Sequence, residues 1–140
     1  HMFNTDFTVE GINEFSKACM VGHIGIEFTE IGDDYLKAKM PIDHRTTQPF
    51  NVLHGGASVA LAETMGSFGA TMTIDNEKQF CAGLEINANH IKAAKKGFVY
   101  GTARPIHLGK KTQVWEIKIL NDENELVCIS RITVAIIDRK

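Results

Sequence analysis

His54-Gly55-Gly56-Ala57-Ser58-Val59-Ala60-Leu61-Ala62-Glu63-Thr64-Met65-Gly66-Ser67-Phe68-Gly69-Ala70-Thr71-Met72 decides how this 140-residue chain folds. Between Arg45 and Asp75 the only formally charged side chain is Glu63. The sixteen residues from Ala57 to Met72 are otherwise Ala, Val, Leu, Met, Phe, Gly, Ser and Thr, and as a helix they reach ~24 Å. A helix apolar all round is a buried one. Its small residues, Ala60, Ala62, Gly66, Gly69 and Ala70, permit other backbones to approach closely. The expectation is a central helix, opened by Gly55-Gly56, with Glu63 enclosed.

Strand patterns flank it. Upstream, His23 to Ile31 and Tyr35 to Ile42 alternate around Gly32-Asp33-Asp34, which predicts a hairpin. Gly11 to Cys19 predicts a short helix with Ile12, Phe15 and Cys19 on one side. Downstream, Phe80 to Asn89, Phe98 to His107, Trp115 to Ile119 and Leu126 to Ile137 read as four strands. The last is apolar on both faces apart from Ser130, Arg131 and Thr133, as a central strand is. A strand pair, one long helix and then about four strands predict an α+β fold with a mainly antiparallel sheet of about six strands.

A lone carboxylate on such a helix is costly unless something pairs with it or uses it. Ser67 lies one turn beyond Glu63 on the same face and can hold a water. Gly55-Gly56 opens the helix where free N–H groups and the dipole favour an oxyanion. Gln48 and His54 add donors just upstream. Base, water-holder and oxyanion donors are the parts of an acyl-transfer site. Each also has a structural reading: a tight helix entry, a satisfied histidine, a packing serine, a loop glutamine. Their grouping around one acid favours chemistry. Ser58 is not in G-x-S-x-G, which argues against a nucleophile elbow. No H-E-x-x-H or cysteine cluster predicts a metal, and no cofactor fingerprint is present.

Composition fits one domain over residues 1–140, with His1-Met2 read as a tag remnant. No apolar stretch approaches a membrane span. Cys19, Cys81 and Cys128 are too few and too scattered for a disulfide framework, so buried reduced thiols in a cytoplasmic protein are expected. The net charge of −2 conceals an acid-free stretch from Ile86 to Trp115 carrying Lys92, Lys95, Lys96, Arg104, Lys110 and Lys111. Such a stretch attracts a polyanion or is simply a set of solvated loop lysines. If Phe98 to Ile106 is a strand, its ends lie ~25–30 Å apart. Lys92 and Lys110 would then clasp one ligand only from different subunits.

Gln48-Pro49-Phe50-Asn51-Val52-Leu53-His54-Gly55-Gly56-Ala57-Ser58, followed by Leu61-Ala62-Glu63-Thr64, resembles the hotdog-fold thioesterases. The likeness is strongest to bacterial enzymes acting on 1,4-dihydroxy-2-naphthoyl-CoA and related aromatic acyl-CoAs. Gly83 to His90 and Pro105 to Gly109 look like further blocks of that subfamily, and the likeness runs from about Gly22 to Ile137. The resemblance implies a long helix wrapped by an antiparallel sheet. It also implies a homodimer or dimer of dimers, a homotetramer, with active sites between subunits. It matches Glu63 to the catalytic acid, Gly55 to the backbone oxyanion donor and Gln48 to a carbonyl contact. His54 matches a residue near the thioester, and Ser67 a water-positioning hydroxyl. Coenzyme A contacts map to Gly83, to His90, Ile91, Lys92 and Ala93, and to His107, Leu108, Gly109, Lys110, Lys111 and Thr112, within or beside the basic stretch. Asn51 departs from the family, standing where relatives often have glycine, and Asn tolerates left-handed backbone. The implied activity is hydrolysis of an acyl-CoA thioester, aromatic as in menaquinone synthesis or short to medium aliphatic, with no nucleic-acid or membrane partner. The alternatives are a hotdog hydratase or dehydratase and a non-enzymatic acyl-CoA-binding module.

Overall fold

The computed structural model describes residues 2–140; His1, half of the pair read as a tag remnant, lies outside the described residues. Two helices, α1 (Val9–Ser16) and α2 (Met20–His23), precede a hairpin of β1 (Glu27–Ile31) and β2 (Leu36–Pro41). The long helix α3 (Gly55–Met72) follows, and then β3 (Gln79–His90), β4 (Phe98–Leu108), β5 (Thr112–Leu120) and β6 (Leu126–Asp138). The strands form one six-stranded sheet in the order β1-β2-β4-β5-β6-β3, each neighbour antiparallel. The sheet curls around α3, which is the hotdog arrangement. No helix among the described residues is long and apolar enough to cross a membrane.

Alternation in the strands sends one set of side chains to the helix. Leu36 and Met40 of β2, Val99 of β4, Trp115, Ile117 and Ile119 of β5, and Ile132 and Val134 of β6 are fully buried. They meet Leu61, Ala62, Met65, Gly66, Gly69 and Met72 of α3, which are also buried. Trp115 is satisfied as well as packed: its Nε1 donates to Gln113 Oε1 at 2.9 Å, and Gln113 Nε2 donates to Thr73 Oγ1 at 2.8 Å. That chain ties β5 to the C-terminal end of α3. A β-carbon at Gly69 would sit 2.7 Å from the Trp115 ring, which is wholly buried. Gly69→Ala therefore trades about 1 kcal/mol of helix propensity for an overpacked ring. The expected net loss is about 1–2 kcal/mol in urea unfolding, whereas a stabilised variant would show that the ring yields freely.

The sequence expectations need four corrections. The first strand starts at Glu27 rather than His23, because His23 ends α2 and Gly25 turns the chain at φ 83°. The N-terminal helix runs over Val9–Ser16, where the Thr8 side chain caps it by accepting from the Gly11 N–H at 3.0 Å. Its Ile12 is buried, but Phe15 is 84% exposed and Cys19 is exposed. Of the thiols expected to be buried only Cys128 is, with Cys81 intermediate. The largest correction concerns α3. The sheet covers one flank only, and Glu63 lies on the open flank, exposed, with Gly56, Ala60 and Ser67 in line with it.

The two sheet edges differ. At β1 the Asn13 side chain bonds both backbone groups of Phe28, donating to its carbonyl at 2.9 Å and accepting from its N–H at 2.8 Å. That edge is plugged at its bulge. Nothing among the described residues covers the outer edge of β3, a twelve-residue strand. Long open edges of this kind pair with another chain.

Candidate active site

The loop before α3 is held from both sides. The His54 N–H donates to the Thr46 carbonyl at 2.8 Å, and the Leu53 N–H donates to Ala94 at 2.7 Å. Asp43 and Arg45 clasp at its start, and Arg45 reaches the His23 carbonyl at 3.1 Å. The guanidinium's hydrogen bonds, with the Arg45 N–H, lower the Asp43 carboxyl from its ordinary 3.8 to about 2. Asn51 stands at φ 64°, so it occupies the left-handed conformation that its family departure permits.

His54 caps α3. Its Nδ1 accepts from the Gly56 N–H at 2.7 Å, which assigns the ring proton to Nε2. The Ala57 and Ser58 N–H groups both donate to the His54 carbonyl. Of the first four N–H groups of the helix, Gly55 alone has no acceptor among the described residues. Gln48 uses its Oε1 to accept from the Phe50 N–H, which leaves its Nε2 as a donor.

Glu63 lies two turns down the helix on the open flank. One carboxylate oxygen would be 2.9 Å from a β-carbon at Gly83, so a side chain at Gly83 would displace it. Gly83 sits at a bulge, where the β3 register shifts before Glu85. Farther along, Thr71 Oγ1 and Cys81 Sγ lie 2.9 Å apart. At the opposite end, the ring of His90 rests against Gly55. The inner face of β3 thus runs beside α3 from Cys81 near Thr71, through Gly83 at Glu63, to His90 at Gly55.

Four concavities surround these groups. An apolar groove of about 230 Å³ between α2 and α3 is lined by Met20, Val21, Ile24, Ala60, Glu63 and Thr64. It adjoins one of about 200 Å³ that reaches Arg45, His54 and Gly56. A cleft of about 340 Å³ gathers Gly55 and Ser58 with His90, Ile91, Lys92 and Ala93. A fourth, about 510 Å³, joins Leu108, Gly109, Lys110 and Lys111 to Thr73 and Ile74.

Of the residues singled out from the sequence, Glu63 and Ser67 share a face, and Gly55 lies beside His90 to Ala93. The group from His107 to Thr112 lies at the C-terminal end of α3, whereas Lys92 lies at its N-terminal end. One protomer does not bring the two basic groups together. Gly83 stands apart from both, under Glu63. Sequence reasoning missed that contact and missed Met20 and Ile24 as groove walls. The signal for the first was available, since a glycine inside an alternating strand marks a bulge or a close approach. Among the described residues no group of three or more His, Cys, Asp or Glu side chains is placed to hold a metal.

A model of the Thioesterase superfamily matches residues 50–128. The 1,4-dihydroxy-2-naphthoyl-CoA hydrolase of Escherichia coli K12 is 48% identical over 93% of this chain and 95% of its own length. The proofreading thioesterase EntH of Cronobacter turicensis is 46% identical over 92% of this chain and 93% of its own. The crystal structure of a thioesterase from Haemophilus influenzae superposes with a TM-score of 0.95 at 46% identity, covering 99% of this chain and 96% of that one.

Proposed function

This chain belongs to the Thioesterase superfamily, and on that premise we propose that it hydrolyses an acyl-CoA thioester to the free acid and coenzyme A. One observation carries the reading: α3 bears a single carboxylate, Glu63, and a single N-terminal N–H without an acceptor among the described residues, that of Gly55. The Gly55 N–H and Gln48 Nε2 receive the thioester oxygen as it gains negative charge. Glu63 takes a proton from water held with Ser67, and that water attacks the carbonyl carbon. Collapse breaks the C–S bond, and the thiolate leaves with the proton from Glu63. Direct attack by Glu63 on the thioester carbon, expelling the thiolate, uses the same donors and gives a mixed anhydride that water then opens at the Glu63 carbonyl carbon, releasing the acid. Single turnover in oxygen-18 water separates the two routes: the label enters the acid in the first and the Glu63 carboxyl in the second.

The catalytic groups come from two subunits. Glu63 and Gly55 are eight residues apart in sequence, about 12 Å along the helix axis. Their footholds on β3, Gly83 and His90, are separated by roughly 20 Å. An oxyanion donor about 3 Å from the carbonyl oxygen and a water about 3–3.5 Å from the carbon leave no room for such a gap. A two-fold pairing of open β3 edges, centred near Ile86 and Asn87, sets Gly83 of one subunit opposite the equivalent of His90 in the other. Glu63 then faces the second subunit's oxyanion donor, and the small residues on the open flank of α3 admit its helix. The same pairing encloses Glu63. It also lets coenzyme A reach Lys92 on one subunit and Lys110 on another, with a dimer of dimers as the complete assembly.

The acyl group is aromatic, of the 1,4-dihydroxy-2-naphthoyl type, and the groove between α2 and α3, with its apolar walls and Glu63 at one end, supports that class. The test is thiol release across a panel of aromatic and aliphatic acyl-CoAs, each alongside its acyl carrier protein counterpart. Fastest release from a bicyclic or hydroxylated aromatic acyl-CoA is the expected result. Preference for aliphatic chains would overturn the substrate class, and double-bond absorbance without thiol would point to a hydratase.

A further inference from the structure

We infer that His90 is a positioning residue for the oxyanion donor, holding Gly55 through ring packing; the inference rests on the thioesterase reading above. A β-carbon built on Gly55 meets the His90 ring at 3.0 Å from both Cε1 and Nε2, with Cδ2 of that ring next at 3.5 Å. The ring thus supplies the three nearest contacts at this point of the helix. The ring itself comes from a fixed place. His90 is the last residue of β3, paired with Cys128 of β6, and the next N–H, that of Ile91, donates to Val127 at 2.8 Å. The sheet therefore presses a flat surface onto the first residue of α3.

That residue needs such a support. Gly55 has no side chain of its own to fix the junction, and its N–H has no acceptor among the described residues. An oxyanion donor works only when aimed beforehand at the position the charged oxygen will occupy. His54 fixes the next N–H through its cap, but its bond goes to Gly56. The His90 ring, the nearest packing contact at this position, keeps Gly55 from rocking. This role differs from a coenzyme A contact, which acts on binding rather than on the chemical step.

The two residues can be tested against each other. Gly55→Ala keeps the N–H and fits the start of a helix, so a pure donor role predicts no effect. The packing role predicts a fall in kcat of roughly 10- to 100-fold, because the new methyl displaces the ring. His90→Ala is expected to lower kcat by a similar factor with little change in KM, while His90→Phe, which keeps a flat ring, retains most of kcat. The double variant Gly55→Ala with His90→Ala is expected to lose no more than His90→Ala alone, since the atoms that clash are gone. A silent Gly55→Ala, losses that multiply, or a His90→Ala effect confined to KM would each overturn the inference. Should His90→Ala fail to fold by circular dichroism, Gly55→Ala and His90→Phe still decide. A wild-type chain that releases thiol from no thioester would remove the underlying reading instead, before any variant is compared.

Discussion

Glu63→Gln is expected to lower thioester hydrolysis by roughly 10²–10⁴-fold while unfolding at the wild-type midpoint. The amide keeps the size and hydrogen-bonding reach of the carboxylate but neither accepts a proton from water nor attacks carbon. The fold does not depend on the charge. Glu63 sits on the open flank of α3 and has no ion-pair partner among the described residues. Initial rates of thiol release at saturating substrate, with a denaturation curve beside them, check both halves. Near-normal turnover with an unchanged midpoint would leave the mechanism without its base.

Gly55→Pro carries the second large effect, a kcat roughly 10²–10³-fold below that of Gly55→Ala, the usual cost of one oxyanion donor. Proline removes the N–H and is favoured at the first position of a helix. His54, at φ −67° and ψ 131°, already has the extended backbone required before proline. The control is Gly55→Ala, which meets the same His90 ring but keeps the donor, so the difference between the two variants reports the N–H. Co-expressing Gly55→Pro with Glu63→Gln then tests the composite site. In a mixed dimer one of the two sites receives an intact Glu63 from one subunit and an intact Gly55 from the other. Random pairing is expected to restore roughly a quarter of wild-type activity. No recovery in demonstrably mixed dimers would place both groups in one subunit and contradict the argument from distance.

The elements that were legible were those whose pattern is local. Ala57 to Met72 declared a helix by length and composition, and the structure extends it only to Gly55. The alternation in Phe80 to Asn89 and in Trp115 to Ile119 marked strands that lie within β3 and β5. Failures came where tertiary contact overrides pattern. Phe15 follows the apolar spacing of Ile12 and Cys19, yet α1 turns only Ile12 and Ser16 inward, and Phe15 faces out. His23 to Ile26 alternates like a strand, but α2 and the left-handed Gly25 claim it. Glu63 was picked out by being the only charge in its stretch, a fact of sequence. Its supposed burial was an inference from apolar neighbours that one chain does not satisfy.

What the sequence determined alone was the inventory: one helix too apolar to stand in water, one carboxylate on it, glycines at its start, and strands enough to wrap it. Periodicity and composition act between near neighbours, so they are written residue by residue. What only the tertiary structure decided was the arrangement. The sheet reaches around a single flank, Gly83 seats the carboxylate, His90 bears on Gly55, and one edge strand is plugged by Asn13 while the other lies open. Those facts depend on which strand ends beside which turn of the helix. That is fixed by the close fit of Trp115 against Gly69 and by the registers of the strands, and no stretch of the chain encodes it by itself.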